Sequence, residues 1–177
     1  VESRGLGDVY KRQAERTSYI QIISGDRKNS NTYRIIYEIL PPLDIFICIG
    51  QSNMCGRGYM DESKGDLKPV DNTFLLTPAL KWEIASNPFN KYSSVRNDIS
   101  VQQISPSYGF AHYLSRHIHS KIGMIVNGRG GTSISEWTKG SGIGLYEAAI
   151  ERAKEAQKWG RIKAILWHQG EGDDRSI

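Results

Sequence analysis

The sequence is poor in several things, and each shortage narrows what the chain can be. It has two cysteines, Cys48 and Cys55, in 177 residues. That is too few for a disulfide framework, and they do not fix a redox compartment. Cys48 stands inside an apolar stretch and reads as a small buried hydrophobe; a Cys48–Cys55 bridge would have to span a strand end. There is no apolar run near the ~20 residues that cross a bilayer, so no membrane span is expected. The amino terminus lacks the apolar core segment of a signal peptide. No basic block accompanies the net charge of +4; Lys and Arg are interspersed with acids, which argues against a nucleic-acid partner. No repeat or low-complexity segment is visible. The 38% hydrophobic and 24% charged residues are those of an ordinary globular protein, and the length suffices for one domain with a core.

The chain then divides by composition. Residues 1–13 are set apart, because "SRGLGDVYKRQ" (Ser3 to Gln13) resembles a translated sequencing adapter. A transposase end sequence translates to Asp8–Gln13, and the adapter bases before it can encode Ser3–Gly7. These residues are read as an assembly scar, so any export signal would lie upstream of Ala14. Residues 14–42 hold two short strand patterns, 17–24 and 32–40, around the polar turn "GDRKNSN". They are a hairpin or the tail of a preceding module. Pro41-Pro42 marks the boundary, and 43–177 is the main domain.

In that domain the apolar run 44–49 has the character of a strand buried on both faces of a parallel sheet. Residues 56–105 form a long excursion with a short hairpin. Phe110, Leu114 and Ile118, with Ala111, predict a helix over 107–119. A strand at 122–127 follows. Leu145, Ala148, Ala149, Ala153, Ala156 and Trp159 share one face of a helix over 145–159, which Gly160 ends. A third strand spans 162–167. This alternation predicts an α/β fold with a parallel sheet, in which ligands collect at the carboxyl ends of the strands.

All three strands end in unusual turns: "GQSNM" (50–54), "NGRGGTS" (127–133) and "HQGEGDD" (168–174). Ser52, past a strand end and between Gly50 and Gly56, suits a nucleophile whose neighbouring N–H groups face a developing oxyanion. A helix N-cap serine is the competing reading. Gly130 and Gly131 let backbone approach a ligand closely, as oxyanion donors, as a phosphate cradle or as a plain tight turn. His168 and Gln169 point to opposite sides if the strand runs through them. The Gln169 amide could serve an oxyanion. Glu171, Asp173 and Asp174 lack partners elsewhere in the sequence for a metal site.

Taken together the three turns resemble the SGNH (GDSL-like) hydrolases, in the sialate O-acetylesterase and acetyl-xylan esterase branch of carbohydrate esterases. The matching motifs are Gly50-Gln51-Ser52-Asn53-Met54, Arg129-Gly130-Gly131-Thr132-Ser133-Ile134 and Trp167-His168-Gln169-Gly170-Glu171-Gly172-Asp173. "NPFNKYSSVR" and "SPSYGFAHYL" are similar to the branch's intervening segments. The resemblance covers about residues 44–174.

It implies a three-layer α/β/α, flavodoxin-like fold. It implies Ser52 as nucleophile, and an oxyanion hole from the N–H of Ser52, the N–H of Gly131 and the side chain of Gln169, with Gly130 the lesser candidate. It implies an acetylated carbohydrate substrate and no metal or organic cofactor. Members acting on glycans are often exported. An Arg129–Glu171 pair would brace two of the site loops.

In this family the base and its orienting acid come from a late Asp-x-x-His motif, and none of His112, His117, His119 and His168 stands in one. The expectation is a domain truncated at its C-terminal side and a fragment of low activity. A non-catalytic carbohydrate-binding homologue on the same fold is the alternative. Trp82, Trp137, Tyr92 and Tyr108 are candidates for stacking on sugar rings, or core and rim aromatics.

Overall fold

The computed structural model describes residues 16–23, 30–37, 42–95, 100 and 102–174. The expected adapter scar lies outside the described residues. The chain divides into two compact units, Val1–Pro42 and Leu43–Ile177. In the first, β1 (Arg16–Ile23) and β2 (Ser30–Tyr37) pair antiparallel, Arg16 opposite Tyr37 and Ile23 opposite Ser30.

The second unit is an α/β/α domain. Its strands are β3 (Leu43–Gly50), β4 (Thr73–Leu76), β5 (Trp82–Ile84), β6 (Ile122–Val126) and β7 (Gly160–His168). Its helices are the single turn α1 (Ser52–Cys55), then α2 (Pro106–Leu114) and α3 (Leu145–Ala156). The sheet order is β5-β4-β6-β3-β7, parallel except for β5. The layers and parallel wind are flavodoxin-like, with β6 rather than β3 beside β4.

Alternation along β3 makes the two cores. Phe46 and Cys48 join Met124, Val126 and the α2 side chains on one face. Ile45 and Ile47 join Ile125 and the α3 residues Ala153 and Ala156 on the other. A strand so enclosed carries no polar face, so Ile45–Ile49 is an unbroken apolar run; Asp44, near the strand's amino end, is the exception, half-buried and paired with Lys163 at 3.2 Å. Burial pushes the Cys48 thiol up to about 12, so it is an inert packing group. Cys48 and Cys55 form no disulfide.

Some expectations are corrected. The excursion 56–105 does contain a hairpin, β4–β5, but β4 is also a parallel strand of the main sheet, with Leu75 and Leu76 fully buried. The first long helix stops at Leu114 and the second at Ala156. Gly160 therefore opens β7 instead of closing a helix. A Cβ there would stand 2.0 Å from the Leu43 carbonyl oxygen, so the residue is small because two strands meet. Trp159 consequently leaves the helix face and is 51% exposed.

Arg152, on α3, was not separable in sequence from the solvated cations. It is 2% exposed and donates from Nη2 to the Leu76 carbonyl at 2.5 Å and from Nη1 to the Thr77 carbonyl at 3.3 Å. Burial lowers its pKa to about 10.

Candidate active site

β3, β6 and β7 run parallel side by side, so their carboxyl ends, and the three turns that follow, share one edge of the sheet. The backbone ties the turns together before any side chain does. Gln51 N–H donates to the His168 carbonyl at 3.0 Å, and Arg129 N–H donates to the Gly50 carbonyl at 2.9 Å.

Ser52 is the first residue of α1; the N-cap position belongs to Gln51, and no side chain caps the turn. The capping role considered for Ser52 is thus not the one it plays. Its side chain is half-buried, and among the described residues its hydroxyl has no hydrogen-bond partner. Ser52 opens on a cleft of about 750 Å³ that Asn53, Arg57, Ile104, Gly130 and Gly131 also line. Gly131 has φ 74, a conformation that costs a side-chain-bearing residue about 1 kcal/mol, and a Cβ there would meet nothing within 4 Å. It is glycine for its backbone, not for space.

Gln169 follows β7, which ends at His168. Its Nε2 donates to the Thr132 carbonyl at 2.5 Å, next to Gly131, while its buried Oε1 has no partner among the described residues. The structure brings Ser52, Gly130 and Gly131 to one cleft, whereas Gln169 is not among the residues that line it and has one amide proton on the Thr132 carbonyl. The third turn packs tightly between the other two. A Cβ on Gly172 would come within 2.7 Å of the Thr132 carbonyl oxygen and 3.1 Å of Gln51 Oε1. Asp173 accepts from Ile134 N–H at 2.9 Å.

The expected Arg129–Glu171 pair does not form. Arg129 Nη1 donates to the Val95 carbonyl at 2.8 Å. Glu171 instead accepts from Gln51 Nε2 at 2.5 Å and from Asn53 Nδ2, with His168 Nε2 3.1 Å from its Oε1. The carboxyl is held below its ordinary value first by its own backbone N–H, then by the Asn53 amide, with His168 and Gln51 adding to the effect and desolvation opposing it.

These motifs and their placement agree with a comparison against families. The model for "carbohydrate esterase, sialic acid-specific acetylesterase" matches residues 42–176. The chain belongs to this carbohydrate esterase family. A probable carbohydrate esterase of Arabidopsis thaliana is 34% identical over 157 residues, 78% of this chain and 57% of that protein. The crystal structure of an Arabidopsis thaliana protein superposes with TM-score 0.63 at 34% identity, covering 75% of this chain and 59% of that one. A carbohydrate acetylesterase from Xanthomonas citri gives TM-score 0.47 at 17% identity, covering 90% of this chain and 38% of that one. The chain therefore spans a little under three fifths of the curated esterase it matches.

Among the described residues no histidine lines the Ser52 cleft. His112 stacks on Tyr108 and bonds Arg116 at 2.9 Å; His117 Nδ1 lies 2.7 Å from the Tyr113 carbonyl oxygen; His168 faces Glu171. Nor, among those residues, do three or more His, Cys, Asp or Glu side chains gather as metal ligands. No helix among them is long and apolar enough to cross a membrane. The candidate sugar-stacking aromatics are engaged elsewhere. Trp137 is buried, bonds Thr132 Oγ1 at 3.1 Å and meets Trp167 edge-on. Tyr92 donates to Glu83, Tyr108 packs edge-on against Phe89, and Trp82 packs beside the α3 core.

Asn90 and Asn127 went unnoticed in the sequence. Both are fully buried. Asn90 Oδ1 accepts from Gly128 N–H at 2.9 Å and its Nδ2 donates to Gln102 Oε1 at 3.0 Å. Asn127 Oδ1 accepts from Ser94 N–H at 2.7 Å. The "NPFNKYSS" segment is thus the seat of the glycine turn. Asn90 sits in a stretch too polar to be core, but the contacts that tie this segment to the turn, Asn90 with Gly128 and Ser94 with Asn127, join residues 38 and 33 apart in sequence.

Proposed function

We propose that the chain is the Ser52-bearing part of a serine esterase of SGNH type that removes O-acetyl groups from carbohydrates. Ser52 Oγ attacks the acetyl carbonyl, the sugar hydroxyl leaves, and water then frees acetate from the acyl-serine. The N–H of Ser52 and of Gly131 receive the oxyanion, with the second amide proton of Gln169 as a third donor. The observation that carries the reading is the shared cleft: a serine hydroxyl, unpartnered among the described residues, at the start of a helical turn, with a positive-φ glycine on the facing loop. Family membership supports ester hydrolysis on a sugar. Sialate, xylan and other acetylated glycans are all candidate substrates.

The base is a histidine from a late Asp-x-x-His motif that is not among the 177 residues. The chain by itself is then a slow catalyst, because an oxyanion hole without the base retains only a small part of the rate. The test is acetate release from O-acetylated sugars with and without added imidazole as a substitute base. Imidazole-dependent release that Ser52→Ala removes supports the reading. Release that is equal in both proteins would leave a carbohydrate-binding domain on the same fold.

A further inference from the structure

One carboxylate holds both neighbours of the nucleophile. Gln51 Nε2 and Asn53 Nδ2 donate to the two oxygens of Glu171, from 120 and 118 residues away. Ser52 stands between them in a helix of four residues with no side-chain cap. A single turn is not self-supporting, since nucleating it fixes several dihedrals for few hydrogen bonds. Its geometry must be imposed from outside, and Glu171 is placed to impose it.

We propose that Glu171 is a positioning residue for Ser52, its carboxylate fixing where the serine hydroxyl and N–H stand relative to Gly131. This rests on the serine-esterase reading of the site. The residue type follows from the task. An ionised carboxylate only accepts, and its two oxygens take two side-chain amides at once. A glutamine in its place would turn an NH2 group against one of them. The lowered pKa of Glu171 agrees, because hydrogen bonds to the charged form favour it. His168, from β7, is the titratable group in contact with the carboxylate, and Asp173 on the same turn is occupied by Ile134 N–H.

The test compares the 177-residue chain with Glu171→Gln, Glu171→Asp and, as a control, Glu155→Gln, whose carboxylate pairs with Lys158 on the surface. The side-chain amides of Gln51 and Asn53 and the backbone amide of Ser52 are followed by NMR during acidification. In the wild type the three signals move together, with one midpoint below the ordinary glutamate value of 4.5. The movement is lost in Glu171→Gln and kept in Glu155→Gln.

In imidazole-assisted acetate release, Glu171→Gln lowers kcat by about ten- to a hundredfold, as displacement of a reacting group does. KM stays within about twofold, and Glu171→Asp restores part of kcat. Signals that titrate apart, or that keep their response in Glu171→Gln, would overturn the proposal. So would a joint response with kcat unchanged. If the wild type releases no acetate, the esterase reading fails, and the wild-type titration still decides whether Glu171 holds the turn: one shared midpoint supports it and separate midpoints refute it. That measurement does not depend on any variant folding.

Discussion

The two loops that flank the Ser52 turn are fixed by different physics. The loop after β6 is anchored from beneath, by the neutral buried amides of Asn90 and Asn127. The loop after β7 is tied from the side, by Glu171 to Gln51 and Asn53 and by Asp173 to Ile134 N–H. A buried loop foundation resists salt and pH but is expensive to break, because a lost partner strands a desolvated polar group. A carboxylate tie near the surface is cheap to break and responds to protonation. The site therefore has one permanent wall, carrying Gly131, and one conditional wall, carrying Gln169.

The largest expected effect lies between the walls. Ser52→Ala should reduce imidazole-dependent acetate release to background while the circular dichroism spectrum and melting temperature stay as in the wild type. Asn90→Ala attacks the permanent wall. It leaves Gly128 N–H without its acceptor and should cost roughly 2–4 kcal/mol, seen as a fall of roughly 5–15 °C in Tm, with activity lost along with the fold.

Gly131→Ala separates the catalytic role proposed for this wall from its stability. The added methyl meets no atom, so the loss is the backbone preference alone, about 1 kcal/mol. The displaced N–H should nevertheless lower kcat by about ten- to a hundredfold. An unchanged kcat would remove Gly131 from the oxyanion hole.

The smallest effect is on the conditional wall, and its sign follows from linkage. The folded pKa of Glu171 is depressed, so the stability it contributes is present above the unfolded value of 4.5 and is lost as pH falls through the folded value. Amide exchange in 169–173 should rise in acid before exchange in 127–133 does. Simultaneous release of the two loops would erase the distinction between them.

The parts legible in the sequence are those that local pattern determines. β3 was readable because burial on both faces leaves an apolar run from Ile45 to Ile49, and the site because unusual turns ended three strands that a parallel sheet must align. Other features are set by distant partners. β4 looked like half of a local hairpin, but Leu75 and Leu76 are buried because the strand also pairs with β6. Trp159 fits the helical period of α3, yet the helix ends three residues before it and β7 begins one residue after. Arg152 looked like one more surface cation until the Leu76 and Thr77 carbonyls at the end of β4 claimed it. Arg129 and Glu171 are opposite charges on neighbouring loops, which made their pairing plausible. The Val95 carbonyl and the Gln51 and Asn53 amides hold them apart instead.

The central claim, that the three strand ends build one acyl-transfer site around Ser52, is tested most directly by reaction with a fluorophosphonate followed by peptide mapping. The account predicts a single adduct on Ser52, formed more slowly in Gly131→Ala. An adduct on another residue, or none on Ser52 with imidazole present, would contradict it.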